Sequence, residues 1–278
     1  MFQRIFVPCD GSSASFQALD QALHIAQREG STVTVLCIID ARVLDEPEIY
    51  LPIDDEIRVS TEVVSQPMAT LTYQAWVRQV ALRAEERGRL AGVEVHTETV
   101  TGLPYREIIA RCPEYDLLVM GIWDLASHYP GPFLAGSTYW RVVTHTRLPI
   151  LCVRGQSRDI RRILAAYDNS REAVDALQLA VTWCQAWGLQ LVVLTVQPDG
   201  DLAQTLLRRA RARARPLNPA LLTRDGDPAE AIQTVARDYE CDLIALGVHG
   251  ERHLLERLEG GVVNTILRTS TLPVLLSH

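Results

Sequence analysis

Short apolar runs alternate with amphipathic segments along the whole of this 278-residue chain. Many of the runs are apolar at consecutive positions, which is typical of strands buried on both faces, and the segments between them have helical spacing. The pattern predicts strands near residues 4–8, 33–39, 93–100, 116–121, 149–153, 162–167, 190–197, 219–223, 242–247 and 273–277. Strands that alternate with helices predict the α/β class, with open parallel sheets covered by helices on both faces.

The second half of the chain repeats the first. RIFVPCDGSSASFQALDQALHIA, from Arg4, matches RILAAYDNSREAVDALQLAV, from Arg162, so that Asp10 corresponds to Asp168. Three further pairs match in the same order: VTVLCII with LVVLTVQ, DLLVMG with DLIALG, and LPILCV with LPVLLS. This self-similarity indicates a tandem duplication of a five-stranded Rossmann-like unit. We expect domains at residues 1–155 and 160–278, joined by the polar linker RGQSRD.

The first copy is longer than the second. Matching positions are 158 residues apart at the first strand (Asp10 and Asp168) but 124 apart at the last (Pro149 and Pro273), a difference of 34 residues. The additional segment is expected within 41–91, where an acidic, proline-containing stretch precedes a long helical pattern that includes Trp76. It is predicted either to cover a pocket, to meet a partner or to be a surface elaboration.

Candidate chemistry lies where strands end. In open α/β sheets, ligands bind at the carboxyl ends of the strands, and both Asp10 and Asp168 directly follow a strand. Each aspartate either binds a ribose or a metal, or caps the helix that follows it. The stretch LIALGVHGERHLLERLEGGVV (243–263) resembles a loop that leads from a strand to a helix N-terminus, with glycines at which backbone N–H groups can approach an anion.

Composition narrows the function classes. The net charge of −7 argues against general nucleic-acid binding. No apolar run reaches membrane-spanning length and no signal peptide precedes the first predicted strand, so we expect a cytoplasmic protein. The six cysteines lack metal-ligand spacing and are predicted to be buried free thiols. The arginine run Arg208–Arg215 is expected to be a solvated helix face or a surface for an anionic partner.

These residues together resemble the universal stress protein family in its tandem two-domain form. The resemblance rests on the aspartate after the first strand (VPCDGS, AAYDNS), on the spaced glycines of LGVHGERHLLERLEGG, and on the closing LP[IV]L strand of each half. It implies an adenine-nucleotide-hydrolase-like fold and binding of ATP or AMP, with Mg²⁺ accompanying ATP. In the second half it implies nucleotide-binding residues Asp168, Val196, Leu246, Gly247, Gly250, Gly260, Gly261 and Val262.

Both copies depart from the family pattern. Gly261 stands where the ATP-binding members have Ser or Thr, which removes a hydroxyl donor but keeps the backbone N–H. In the first half the resemblance implies a weaker site made of Asp10, Ile38, Met120, Gly121, Gly136, Ser137 and Thr138. There Asp124 replaces the middle glycine, and its charge would repel a triphosphate. The second half is therefore the better nucleotide candidate.

Three functions remain open from the sequence. The first is a stress-response regulatory protein in which an adenine nucleotide shifts the population of conformations; no convincing catalytic or metal constellation is present, and at most slow ATP hydrolysis is expected. The second is a scaffold without nucleotide, an internal pseudo-dimer or a homodimer, whose closing strands pair with each other or with another chain. The third is a small-molecule or lipid pocket in the first half, lined by Trp123, Tyr129 and Phe133.

Overall fold

The computed structural model describes residues 1–41, 50–53, 56–59, 66–122, 138–198, 200–248 and 261–278. Within those ranges the strands are β1 (Arg4–Pro8), β2 (Thr32–Asp40), β3 (Tyr50–Ile53), β4 (Glu56–Val59), β5 (Val95–Gly102), β6 (Leu117–Gly121), β7 (Ile150–Val153), β8 (Arg162–Ala166), β9 (Gln190–Val196), β10 (Ala220–Arg224), β11 (Leu243–Gly247) and β12 (Val274–Ser277). The helices are α1 (Ser13–Glu29), α2 (Gln66–Ala91), α3 (Pro104–Arg111), α4 (Thr138–His145), α5 (Arg171–Trp187), α6 (Asp201–Arg213), α7 (Pro228–Asp238) and α8 (Val262–Thr269). A 3₁₀ turn follows α3 at Cys112–Glu114.

One 10-stranded sheet joins both halves of the described chain, in the order β10-β9-β8-β11-β12-β7-β6-β1-β2-β5. Neighbouring strands are parallel within each half, and the two halves have the same strand order. The α/β architecture and the tandem parallel units expected from the sequence are confirmed. Each of the predicted strands is present within about two residues of its expected ends.

The insertion in the first half contains elements that the apolar pattern only partly predicted. The long helical pattern corresponds to α2. The antiparallel hairpin of β3 and β4 was not predicted, because its strands are short and lack a sustained period-two pattern.

Helices cover both faces of the sheet because successive strand residues point to opposite sides. On one face, α1, α2, α5 and α6 pack against residues such as Ile5 and Ile163. On the other, α3, α4, α7 and α8 pack against the intervening positions, such as Phe6 and Leu164. The alternation in burial therefore assigns the connections from β1 and β8 to one face and those from β6 and β11 to the other.

The two halves meet along an antiparallel strand pair in the middle of the sheet. β12 pairs with β7, with Leu275 opposite Leu151, and both side chains are fully buried. On one face Phe2 packs edge-on against Trp183, with ring centroids 5.5 Å apart. The closing strands of the two halves thus pair with each other. Among the described helices, none is both long and apolar enough to cross a bilayer.

The segment between the halves is held against α1. The buried side chain of Gln21 donates from Nε2 to the carbonyl of Arg158 at 3.2 Å and accepts from the Arg158 amide at Oε1 at 2.9 Å. Because both backbone groups of Arg158 are bonded to one side chain, the connection has a fixed course over the junction.

Candidate functional site

A crevice is expected in each half where neighbouring strands send their connections to opposite faces. In the second half β8 lies beside β11, with Ala165 opposite Ala245. The chain leaves β8 for α5 on one face and leaves β11 for α8 on the other. Such a switch point at the carboxyl ends of parallel strands is where open α/β sheets bind ligands.

Asp168 lies in the turn that follows β8. Its side chain is exposed, and Oδ1 accepts a hydrogen bond from the amide of Ser170 at 2.8 Å. Ser170 is the N-cap of α5, and its Oγ accepts from the amide of Ala173 at 3.2 Å. Among the described residues, nothing donates to the other carboxylate oxygen of Asp168, which leaves it available to a ligand.

Asp10 makes the same turn in the first half. Its Oδ1 accepts from the Ser12 amide at 2.9 Å, and Ser12 is the N-cap of α1. The alternative in which Asp10 and Asp168 are themselves helix caps is therefore wrong. Each aspartate lies two residues before the N-cap of the following helix. Its hydrogen bond therefore fixes the turn that leads into the helix rather than the first turn of the helix itself.

Val196 stands beside Asp168 at the edge of the sheet. Ala166 in β8 is opposite Leu194 in β9, so two residues further on Asp168 is level with Val196. The side chain of Val196 is half-buried, as is that of Ile38 at the matching position in the first half. Each half therefore has an aspartate and an aliphatic residue at the same level on neighbouring segments of the sheet edge.

The glycines that end β6 and β11 have a packing role. A Cβ on Gly247 would lie 2.4 Å from the backbone nitrogen of Ala173, and one on Gly121 would lie 2.3 Å from the carbonyl oxygen of Ala14. Glycine at these positions lets the first turn of α5 or α1 approach the strand. The neighbouring side chains of Leu246 and Met120 are buried in the apolar core.

The start of α8, the helix that follows β11, provides backbone donors. Gly261 is the N-cap, with extended φ and ψ of −66° and 145°, and no side chain caps the helix there. The amides of Val262 and the next residue lie in the first turn, where intrahelical acceptors are lacking. The matching residue Thr138 begins α4 in the first half.

Several of the expected residues lie outside the described residues. They are Gly250, Gly260, Gly136, Ser137 and Asp124, together with Trp123, Tyr129 and Phe133 of the predicted first-half pocket. The phosphate-loop assignment and the apolar pocket therefore stay predictions.

Side chains that the sequence analysis did not single out surround the Asp168 turn. Tyr167 is 2% exposed and donates from its hydroxyl to Oδ1 of Asn169 at 2.9 Å. Arg213, the last residue of α6, donates from Nε to the Tyr167 hydroxyl at 3.3 Å. A comparison of AAYDNS with VPCDGS points to Tyr167 and Asn169, because the two copies differ on both sides of the aspartate that they share.

The first-half turn is held by α2 instead. Trp76 donates from Nε1 to the carbonyl of Asp10 at 3.2 Å and is largely buried. Gly11 has a φ of +86°, and a Cβ there would lie 2.5 Å from Val80 and 2.6 Å from Trp76. The helix of the insertion thus packs directly against the turn that holds Asp10, while its expected role as a pocket cover, a partner contact or a surface elaboration stays a prediction.

The described residues offer no cluster of side chains suited to a metal ion. No group of three or more His, Cys, Asp or Glu side chains is placed to hold a metal ion within the ranges given above. The six cysteines, all of which are described, are free and buried, as predicted.

Comparison with known proteins places these features in a family. The model of the universal stress protein family matches residues 1–154 and 199–278. A universal stress protein of Synechocystis sp. is 24% identical over 287 residues, covering 98% of this chain and 99% of its own length. One from Methanocaldococcus jannaschii is 29% identical over 161 residues, covering 57% of this chain and 86% of its own length.

A solved structure has the same fold over nearly the whole chain. The universal stress protein from Archaeoglobus fulgidus superposes with a TM-score of 0.78 at 21% identity, covering 99% of this chain and 95% of that one. The family match spans most of both halves, and the strand order repeats within the chain. The chain therefore belongs to the universal stress protein family.

Proposed function

We propose that this protein binds an adenine nucleotide, ATP or AMP, at the carboxyl edge of its second half and acts as a stress-response regulatory protein. The observation that carries the proposal is the switch point between β8 and β11: Asp168 lies in the turn after β8, the neighbouring strand β9 ends at Val196, and α8, which begins without a side-chain cap, follows β11. An acceptor, an apolar surface and a set of anion-binding amides are the three kinds of group that a nucleotide requires.

Each group has a separate task in this proposal. The free carboxylate oxygen of Asp168 accepts from a ribose hydroxyl, and Val196 packs against the base. The first amides of α8 face the phosphates, where the helix dipole favours negative charge. Gly250 and Gly260 are proposed to complete the phosphate loop, with Leu246, Gly247 and Val262 supporting it through their backbone.

The glycine at 261 lowers affinity without removing the site. A hydroxyl donor at that position would add a hydrogen bond whose net value is about 0.5–1.5 kcal/mol, and somewhat more when the acceptor is charged. We therefore expect weaker binding than in a protein with Ser or Thr there. Mg²⁺, where present, would be held mainly by the phosphates and water, since it needs only one or two carboxylates from a protein.

Binding would act by population shift. A nucleotide that contacts both the β8 turn and α8 stabilises the arrangement in which these elements lie together, and the surface around them becomes the one a partner recognises.

We propose domains at residues 1–155 and 160–278, with the site in the second. The first-half site is the weaker one, because Asp124 opposes phosphate in its loop. Six buried free thiols suit a reducing cytoplasm.

A scaffold without nucleotide is the second candidate. The pairing of β7 with β12 favours it, because the strands that close the two units are used inside one chain and form an internal pseudo-dimer. The open edges of the described sheet are then β5 and β10. A homodimer that extends the sheet would have to use those edges.

Isothermal titration with ATP and with AMP separates the candidates. We expect one site per chain, with affinity lost in Asp168→Asn and retained in the matched Asp10→Asn variant. Sodium tripolyphosphate is the control for simple anion binding. If neither nucleotide binds at millimolar concentration, the regulatory proposal fails and the scaffold takes its place.

A further inference from the structure

The two neighbours of Asp168 in the chain are hydrogen-bonded to each other through their side chains. Tyr167 precedes it and Asn169 follows it, and the Tyr167 hydroxyl donates to Asn169 Oδ1 at 2.9 Å. This bond closes a small hydrogen-bonded ring that includes the backbone of Asp168. The backbone on both sides of Asp168 is therefore restricted by a contact that Asp168 itself does not make.

The tyrosine is anchored to the sheet and to α6. Its amide donates to the carbonyl of Leu194 at 2.8 Å, and its carbonyl accepts from the Thr195 hydroxyl at 2.9 Å. Its ring is 2% exposed, and Arg213 donates to its hydroxyl at 3.3 Å. Tyr167 is thus held through its backbone, its buried ring and its hydroxyl, and Asn169 is bonded to this anchored side chain.

Asn169 adopts a backbone conformation that few side chains tolerate. Its φ is +67°, in the left-handed region where glycine and asparagine are favoured. The matching first-half residue, Gly11, has a φ of +86°. Glycine would satisfy the backbone in the second half as well, so the conformation alone does not explain why an amide side chain stands there.

The first half lacks this arrangement. Cys9 stands in place of Tyr167, and its Sγ donates to the hydroxyl of Ser15 within the start of α1 at 3.3 Å. Gly11 has no side chain to accept a bond, and the turn is held by Trp76 at its backbone. The aspartate turn is thus common to both copies, whereas the side-chain ring around it occurs in the copy with the better nucleotide loop.

We propose that Tyr167 and Asn169 are positioning residues that hold the Asp168 carboxylate in its ligand-accepting orientation, and that they strengthen nucleotide binding in the second half. The proposal rests on the nucleotide site proposed above. A group that is already held in its bound orientation loses less conformational freedom when the ligand arrives. The hydrogen bond between Tyr167 and Asn169 therefore raises the affinity for the nucleotide without contacting it. Arg213 extends the same chain of bonds to α6.

The test is a double-mutant cycle measured by titration with ATP. Tyr167→Phe removes the hydroxyl and keeps the buried ring, and Asn169→Gly removes the acceptor and keeps the backbone conformation. Each is expected to raise the Kd by roughly three- to tenfold, the range of one hydrogen bond. The double variant is expected to be no weaker than the worse single variant, because both changes break the same bond.

Two further readouts separate positioning from general stability. Exchange of the Ser170 amide, which donates to Asp168, should quicken in both single variants without ATP, while the urea midpoint changes little. Tyr239→Phe makes the same chemical change near the amino ends of the strands and should leave the Kd unchanged. Additive losses of affinity, or a Tyr167→Phe variant with wild-type Kd while Asp168→Asn abolishes binding, would overturn the proposal and leave the site itself intact. If Asp168→Asn leaves the Kd unchanged, the nucleotide site itself is wrong.

Discussion

Arg154 and His278 occupy matching positions and reach across the junction between the halves to matching carbonyls. Arg154 follows β7 and donates from Nη2 to the carbonyl of Leu267 in α8 at 3.1 Å. His278 follows β12 and donates from Nε2 to the carbonyl of Val143 in α4. Both the two donors and the two acceptors are 124 residues apart in the sequence. The junction therefore has the local twofold symmetry of an isologous dimer interface, built within one chain.

The His278 contact makes stability depend on pH. Burial lowers the pKa of the imidazole, against the opposing effects of the Val143 carbonyl and the nearby Glu172 carboxylate. The folded state then binds fewer protons than the unfolded state, so the free energy of unfolding falls as pH drops below the ordinary histidine value of 6.5. We expect His278→Gln to flatten this decline when urea unfolding is measured between pH 5 and 8.

An exposed histidine provides the control for that measurement. His96 lies on the edge strand β5 with an exposed side chain, so His96→Gln should keep the wild-type pH profile. A His278→Gln variant with the same decline as wild type would show that the buried imidazole is not the source of the pH dependence.

Alanine at Gly247 should destabilise the second half. The new Cβ would lie 2.4 Å from backbone atoms of Glu172 and Ala173, which cannot move without displacing α5. Overpacking of this kind costs about 1–3 kcal/mol in the free energy of unfolding. Gly121→Ala should have a similar cost, because Ala14 lies at the matching place.

The matched control is Gly200→Ala, where a Cβ would have no atom of the described residues within 4 Å apart from its chain neighbours. That variant should stay within about 0.5 kcal/mol of wild type in urea unfolding. Equal stability of Gly247→Ala and Gly200→Ala would remove the packing explanation for the glycine that ends β11.

The thiols should be unreactive until the protein unfolds. Burial raises the pKa of Cys9, Cys37, Cys152 and Cys184 to about 12 and that of Cys241 to about 11. Since the thiolate is the reactive form, both low ionisation and burial protect these groups at pH 8. We expect slow reaction with Ellman's reagent in the native state and release of all six equivalents in guanidinium chloride. Rapid reaction of any thiol in the folded protein would contradict the buried placement.

The pattern of apolar and polar residues predicted the strands of the sheet well, but it predicted fewer of the contacts around the candidate site. Strands such as β1 and β8 consist of consecutive apolar residues followed by a turn. Their positions and their repetition can therefore be predicted from the amino-acid sequence. The aspartate turns follow from the same comparison. The sequence left their capping role open, because an aspartate and a serine two residues apart both resemble caps, and only the hydrogen bonds to Ser12 and Ser170 distinguish them.

The features of the candidate site that the sequence did not predict depend on contacts between residues far apart in the chain. Trp76 is 66 residues from Asp10, and Arg213 is 46 residues from Tyr167, so neither contact leaves a periodic signal. The sequence places Gly247 at the end of a strand and the family resemblance implies that it binds nucleotide, whereas its close approach to α5 depends on how a helix earlier in the chain packs. Such roles become apparent only when distant segments are brought together.

Hydrogen–deuterium exchange of the full chain, with and without saturating ATP, tests the central claim most directly. We predict slower exchange in the turn after β8 (168–173) and in the first turn of α8 (262–265), with the matching first-half segments 10–15 and 138–141 unchanged. Protection confined to the first half, or no protection in either half at saturating ATP, would contradict the assignment of the nucleotide to the edge beside Asp168.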